Sequence, residues 1–199
     1  MKLHDFVRTR PYLYHLTSSS NVDGILRAGV LRPAAEFYEM AGREHEAHAK
    51  RAEHARLACR GHDVVLRDQA PLYAGKCRLH TDWQFSDLVR YLNRHVFFWP
   101  GTADGPIAAG KRHFDRYASE PTTVFRLSTR LLFELNPSPL FTRFNSGSPR
   151  PTNGVKPYRG PDTFLAADAF GLPPSRVTEC VFSNPVVLPH DAVQNINPS

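Results

Sequence analysis

Cysteine is scarce in this chain: Cys59, Cys77 and Cys180 are widely spaced and form no C-x-x-C pair. That argues against a disulfide scaffold and a cysteine zinc centre, and it suits a reducing cytoplasm. Long hydrophobic runs are missing as well. With no stretch of about 18 apolar residues, no membrane span or membrane partner is expected. The opening, MKLHDFVRTRPYLYHL, lacks the long apolar core of a secretory signal. There is no glycine-rich Walker or Rossmann loop, no H-E-x-x-H pair and no G-x-S-x-G turn. The ordinary nucleotide folds, single-helix zinc proteases and serine hydrolases are therefore not indicated. His45, His48 and His54, interspersed with Glu44, Glu46 and Glu53, read as a solvated charged helix. No metal is expected.

What is present is an ordinary globular composition. Of 199 residues, 41% are hydrophobic and 22% charged, enough apolar mass for one core. A single domain over 1–199 is the simplest reading. Seventeen prolines imply long irregular connections. The formal charge of +6 and pI of about 9.5 lean toward a polyanionic partner.

Short periodic segments follow one another along the chain. YLYHLT (12–17) alternates like a strand. Ser20 is placed to cap the next helix with Asp23 three residues on, Val22, Ile25 and Leu26 share a helical face, and Gly29 ends it. Residues 34–60 read as a long charged helical insertion with a thin apolar stripe. DVVLRDQAPLY is a strand running into a loop, and FSDLVRYLNR an amphipathic helix. HVFFWP is a buried strand, 105–117 a further helix, and TTVFRLS and LLFELN two strands. Residues 143–162, rich in Gly, Pro, Ser and Asn, form a long loop of functional type. RVTECVF is a final strand before a frayed tail. Irregular mixing of strands and helices predicts an α+β fold and not a doubly wound sheet.

Three places could carry chemistry. In RVTECVF, a strand period puts Glu179 on one face with Val177 and Val181. Such a carboxylate is either a solvated edge residue or a group held at a pocket mouth. His15 and Thr17 share a face of the first strand, beside a serine-rich helix start. Arg67, Asp68 and Gln69 sit just past an apolar strand, in a turn or a site.

Together these pieces resemble the ADP-ribosyltransferase superfamily, and most of all the DarT-like DNA ADP-ribosyltransferases. YHLTSSSNVDGILRAGVL resembles the family opening, in which a strand ending H-x-T precedes an N-x-x-x-I-L helix and a glycine. HVFFWP with the helix after it resembles the central aromatic strand and helix. VTECVF resembles the last strand, which carries the catalytic glutamate. The resemblance implies a core of two packed small β-sheets with flanking helices, and NAD as substrate. Glu179 would be the catalytic glutamate and Arg67 a catalytic-site arginine. His15 would hold the nicotinamide end of NAD, Thr17 the adjacent ribose, Asn21 the adenosine part, and Phe98 would wall the nicotinamide pocket. The 143–162 loop would recognise the target. The implied activity is ADP-ribosyl transfer to DNA or RNA, single-stranded by preference, as in a toxin or defence enzyme. Acceptors of small-molecule or protein type, and a non-catalytic binder on the same fold, stay open, as does an antitoxin or hydrolase partner. RHVFFW is also similar to a strand of the RNA 2′-phosphotransferases, but Phe97 replaces that family's second histidine, and Glu179 has no counterpart there.

Overall fold

The computed structural model describes residues 1–59 and 61–189, and the backbone of Gln194–Ile196. Of the tail read as frayed, residues 190–193 and 197–199 lie outside the described residues. The helices are α1 (Leu3–Thr9), α2 (Val22–Ala28), α3 (Ala34–Met40), α4 (Phe85–Asn93), α5 (Ala108–Arg116) and α6 (Thr129–Leu135). The strands that matter here are β1 (Tyr12–Ser18), β2 (Ala55–Cys59), β3 (His62–Leu66), β4 (Val96–Thr102), β5 (Thr122–Ser128), β6 (Leu140–Thr142), β7 (Leu165–Ala166), β8 (Glu179–Phe182) and β9 (Gln194–Ile196). The architecture is α+β.

The main strands are hydrogen-bonded in one antiparallel order, β7-β6-β8-β4-β1-β5-β9. The sheet is weakly joined at its centre. On one edge of β4, Val96–Phe98 pair with β8, and on the other, Trp99–Gly101 pair with Tyr12–Tyr14 of β1. Beyond Tyr14, β1 leaves β4 and stays paired only with β5 as far as Ser18. The first half of β4 therefore has an unladdered edge facing His15. Backbone groups at such an edge need other partners, and the Phe97 carbonyl takes one from the His15 ring, 2.9 Å away.

Strand alternation sends side chains to two faces. Leu13, Phe98, Phe125, Phe141, Cys180 and Phe182 form the main core with Phe6 of α1 and Leu132 of α6. On the opposite face, Tyr14, Leu16 and Trp99 meet Phe114 and Tyr117 on and just beyond α5, while Val181 meets Leu88, Val89 and Leu92 of α4. Gly110 lets α5 approach: a Cβ there would lie 2.8 Å from the Trp99 Cβ. A fourth cluster joins Tyr38 of α3 to Leu57, Cys59, Val64 and Leu66 of the β2–β3 hairpin.

Several expectations are corrected. Residues 34–60 are not one helix. After α3 the chain turns at Gly42 (φ +66°), makes a 3-10 turn over Glu44–His48 and then pairs as the hairpin. Left-handed backbone at Gly42 ends the helix, and buried Leu57 and Cys59 alternating with exposed Arg56 and Ala58 give the strand a buried face. LLFELN lies in α6 and not in a strand; Ser128 caps α6 through a bond from the Leu131 N–H. Ser20 does not cap α2. It sits in a 3-10 turn, Ser19–Asn21, and its Oγ meets that of Ser18 at 3.0 Å. Gly29 does end α2, with φ +62°. Val177 packs in the main core, on the face opposite Glu179.

Phe98 is also corrected. It is fully buried in the main core and does not line the large cavity described below, because alternation turns Phe97 and Trp99 to the other face. Phe98→Ala is expected to cost about 3–5 kcal/mol of stability, and Phe97→Ala less. Denaturant midpoints check this; equal losses would mean that Phe97 is as much a core residue as Phe98.

Candidate functional site

The face that Phe97 and Trp99 share opens onto one large cavity of about 720 Å³. That lies within the roughly 300–1,000 Å³ typical of ligand pockets. Its walls come from the opening between β1 and β4, from β3 and the turn after it, from α5, and from the start of the 143–162 loop. Arginines outnumber carboxylates along these walls.

Glu179 begins β8, between β6 and β4, and is 2% exposed. It is therefore no solvated edge residue. Its carboxylate accepts a hydrogen bond from the Ser146 hydroxyl at 2.6 Å on Oε2. The Ser146 N–H donates to both oxygens at 3.2 Å. Burial raises the Glu179 pKa from 4.5 to about 7, against the Ser146 bonds and the Arg159 charge, which favour the ionised form. The group can thus hold or release a proton near neutrality.

His15 stands in the central opening of the sheet. The Phe97 carbonyl can only accept, so Nδ1 carries the hydrogen and Nε2 is left as an acceptor. Burial lowers the His15 pKa to about 4, opposed by the Phe97 bond and helped by the Arg67 charge. The ring is a neutral, oriented acceptor at neutral pH. Thr17 lies two residues on; its Oγ1 accepts from the Asn21 amide at 3.2 Å, so its own O–H remains a donor. Asn21 also lines the cavity, but its amide is engaged. It donates to the Val65 carbonyl at 2.8 Å and accepts from the Val65 N–H at 2.9 Å, which ties the hairpin to the start of α2.

The polar triplet after β3 divides its work. Arg67 enters the cavity, with its Cζ 5.2 Å from the Tyr117 ring centroid. Its Nη1 is buried and has no hydrogen-bond partner. Burial lowers its pKa to about 10, so it stays charged at neutrality. An orphaned buried N–H of a cation is costly, and an anionic ligand would relieve it. Asp68 bonds the Ala70 N–H at 2.8 Å, and Gln69 donates to the Asn93 Oδ1 at 3.0 Å. These two shape the turn.

Four further residues complete the site; one of them, Arg159, is expected at the surface from its place in a Gly- and Pro-rich loop but is 1% exposed. Ser146 and Arg159 belong to the long loop and act on Glu179. His113 and Tyr117 follow the i, i+4 spacing of α5, the one signal in the sequence that could have paired them. The His113 ring lies 5.3 Å from both Trp99 and Tyr117. Burial, with Arg67 and Arg116 beside it, lowers its pKa to about 2. The structure thus brings Glu179, Arg67, His15 and Thr17 to one cavity, with Asn21 at its wall and Phe98 behind it. Among the described residues, no group of three or more His, Cys, Asp or Glu converges as a metal site, and no helix is long and apolar enough to cross a membrane.

Residues 11–191 match the model of a family of unknown function, DUF7002. The chain belongs to this family. The matched span takes in every residue of the cavity named above, from His15 to Glu179. No curated protein and no solved structure matches the chain.

The Glu179 shift carries a sign. A carboxyl whose folded pKa lies above its usual value lends stability that is complete below about 4.5 and is lost as pH rises through about 7. His15 acts oppositely: its lowered pKa takes stability away as pH falls from 6.5 toward about 4. The histidine contribution is common to wild type and Glu179→Gln and cancels in their difference. Between pH 4.5 and pH 8 the wild type should therefore lose about 3 kcal/mol relative to Glu179→Gln. Paired denaturant titrations at each pH test this; parallel curves would mean that Glu179 ionises freely.

Proposed function

We propose that this DUF7002 protein is an NAD-dependent ADP-ribosyltransferase that moves ADP-ribose from NAD to a nucleic acid and releases nicotinamide. The observation that carries the reading is Glu179: a carboxylate buried on a central strand, held by Ser146, facing a large cavity lined with cations. The resemblance of the H-x-T strand and the VTECVF strand to that superfamily supplies the reaction. The positions of His15, Thr17 and Arg67 around the same cavity agree with it.

In this reaction the bond between nicotinamide and ribose C1′ breaks, and nicotinamide leaves as a neutral molecule carrying the bonding pair. The ribose develops oxocarbenium character, as in glycoside hydrolysis. The Glu179 carboxylate stabilises that charge and can accept a ribose hydroxyl; a preorganised group of this kind is worth roughly 3–4 kcal/mol. The acceptor's nucleophilic atom then bonds C1′. The proton it sheds passes to Glu179, whose raised pKa suits it to take one. No Lewis acid features in these steps. His15 offers Nε2 as an acceptor for a ligand N–H, and Thr17 offers its hydroxyl to the ribose. The orphaned Nη1 of Arg67 suits the pyrophosphate. Phe97 and Trp99 take the place of Phe98 as the aromatic wall. A net charge of +6 favours a polyanionic acceptor over a protein or a small molecule.

The deciding assay is nicotinamide release from NAD, with single-stranded DNA, single-stranded RNA and protein offered in parallel. Wild type is expected to release nicotinamide faster with one nucleic acid, and Glu179→Gln to lose about 10²–10³-fold. Release that is unchanged in Glu179→Gln, or absent under every condition, sinks the reading. Release stimulated only by protein, or by neither polymer, moves the acceptor to the other classes.

A further inference from the structure

The 143–162 loop is more than a surface excursion. Near its tip, Thr152 and Val155 pair through two backbone bonds, with positive φ at Asn153 (50°) and Gly154 (75°). That is the signature of a two-residue Asn-Gly hairpin turn. Arg150, Val155 and Lys156 there are exposed. The neck is the reverse. Arg159 is 1% exposed, and its guanidinium donates from Nη1 to the Tyr158 carbonyl at 2.8 Å and from Nη2 to the Asn145 carbonyl at 3.0 Å. One planar fork thus clasps both ends of the 145–158 segment. The Phe144 ring lies 4.6 Å from its Cζ.

Both flanks of the neck are anchored. Upstream, the Thr178 hydroxyl donates to the Arg143 carbonyl at 2.9 Å. Downstream, Tyr158–Arg159 pair with Arg78–Leu79, and the His80 N–H donates to the Arg159 carbonyl at 2.8 Å. The residue after the clasped Asn145 is Ser146, which holds Glu179. Arg159 and Glu179 make no direct ion pair among the described residues, although each is the other's buried opposite charge.

We propose that Arg159 and Ser146 are positioning residues for Glu179: Arg159 closes the neck of the loop, and the closed neck presents the Ser146 N–H and hydroxyl to the carboxylate. This rests on reading Glu179 as the reactive carboxylate. The chemical logic lies in what the arrangement leaves free. A direct Arg–Glu pair would occupy both carboxylate oxygens with a fork. Ser146 instead gives Oε2 the short bond and leaves Oε1 with one long bond of 3.2 Å. Oε1 keeps acceptor capacity for a substrate hydroxyl. The guanidinium, one residue removed, still favours the charged form.

The test is the titration of the Glu179 carboxyl by carbon-13 NMR of labelled glutamate, in the protein alone, with Glu179→Gln assigning the signal. Ser146→Ala should raise the midpoint by about one pH unit, since it removes a hydrogen bond to the charged form. Arg159→Lys keeps the charge, but an ammonium cannot span both carbonyls; its midpoint should rise too. Arg150→Ala, at the exposed tip, should leave it unchanged. In the wild type, the Arg159 guanidinium signals should show slowed rotation and shift with the Glu179 midpoint, which tests the clasp even if Arg159→Lys does not fold. An unchanged midpoint in Ser146→Ala, or a freely rotating Arg159 guanidinium blind to the titration, overturns the proposal. NAD takes no part, so failure to release nicotinamide would end the proposed reaction and leave this result standing.

Discussion

Burying a carboxylate is the constraint around which the site is organised. A glutamate removed from water must be hydrogen-bonded, paired or neutralised. Glu179 draws on all three in part: Ser146 supplies donors, Arg159 a charge at one remove, and burial pushes its proton affinity up to about 7. The 143–162 loop can therefore be long and irregular over much of its length and still be held at its neck, because the carboxylate needs Ser146 in one position. Arg150, Lys156 and the Asn-Gly tip remain exposed while Arg159 at the neck is buried.

The second constraint is the incomplete sheet. Were β1 paired with β4 along its whole length, the central opening would be closed by a ladder and His15 would have no carbonyl to bond. The divergence after Tyr14 leaves Phe97 an edge carbonyl, and the His15 ring satisfies it. One hydrogen bond thus completes the backbone and selects the imidazole tautomer. The cost of the opening is offset on both sides, by the Phe98 core behind it and by the α5 cluster in front. The cavity is basic, with an arginine nitrogen left unpartnered inside it. Arg10, Arg126 and Arg159 each also bury an unpartnered Nε; such buried donors are few in proteins and call for a reason, which an anionic ligand would supply for Arg67.

Much of the architecture was legible locally. The alternation of YLYHLT, the one-face spacing of FSDLVRYLNR and the left-handed Gly29 each match a single backbone state, and each is found. Failures came where a segment's own pattern was ambiguous. A stretch rich in alanine and charge at 34–60 satisfies helix propensity throughout, yet the tertiary structure needs a hairpin there to bury Leu57, Cys59 and Val64 against Tyr38. LLFELN is apolar enough for either state; a serine cap and the packing of Leu132 beneath the sheet made it a helix. Phe97 and Phe98 cannot be ranked by composition, since both are aromatic and adjacent. Only the pairing of Cys180 with Phe98 settles which face each takes.

By itself the sequence determined the α+β class, the placement of Glu179 in a strand late in the chain and of His15 and Thr17 in the first strand. Those features follow from short-range periodicity, which a strand or helix imposes on its own side chains. It also determined the basic charge. The tertiary structure alone decided that Glu179 is buried and not solvated, that Arg67 faces the same cavity, and that the bonds of Ser146 and the charge of Arg159 reach a residue 33 and 20 positions away. Desolvation and long-range hydrogen bonds depend on which distant segments meet, and no local pattern encodes that meeting.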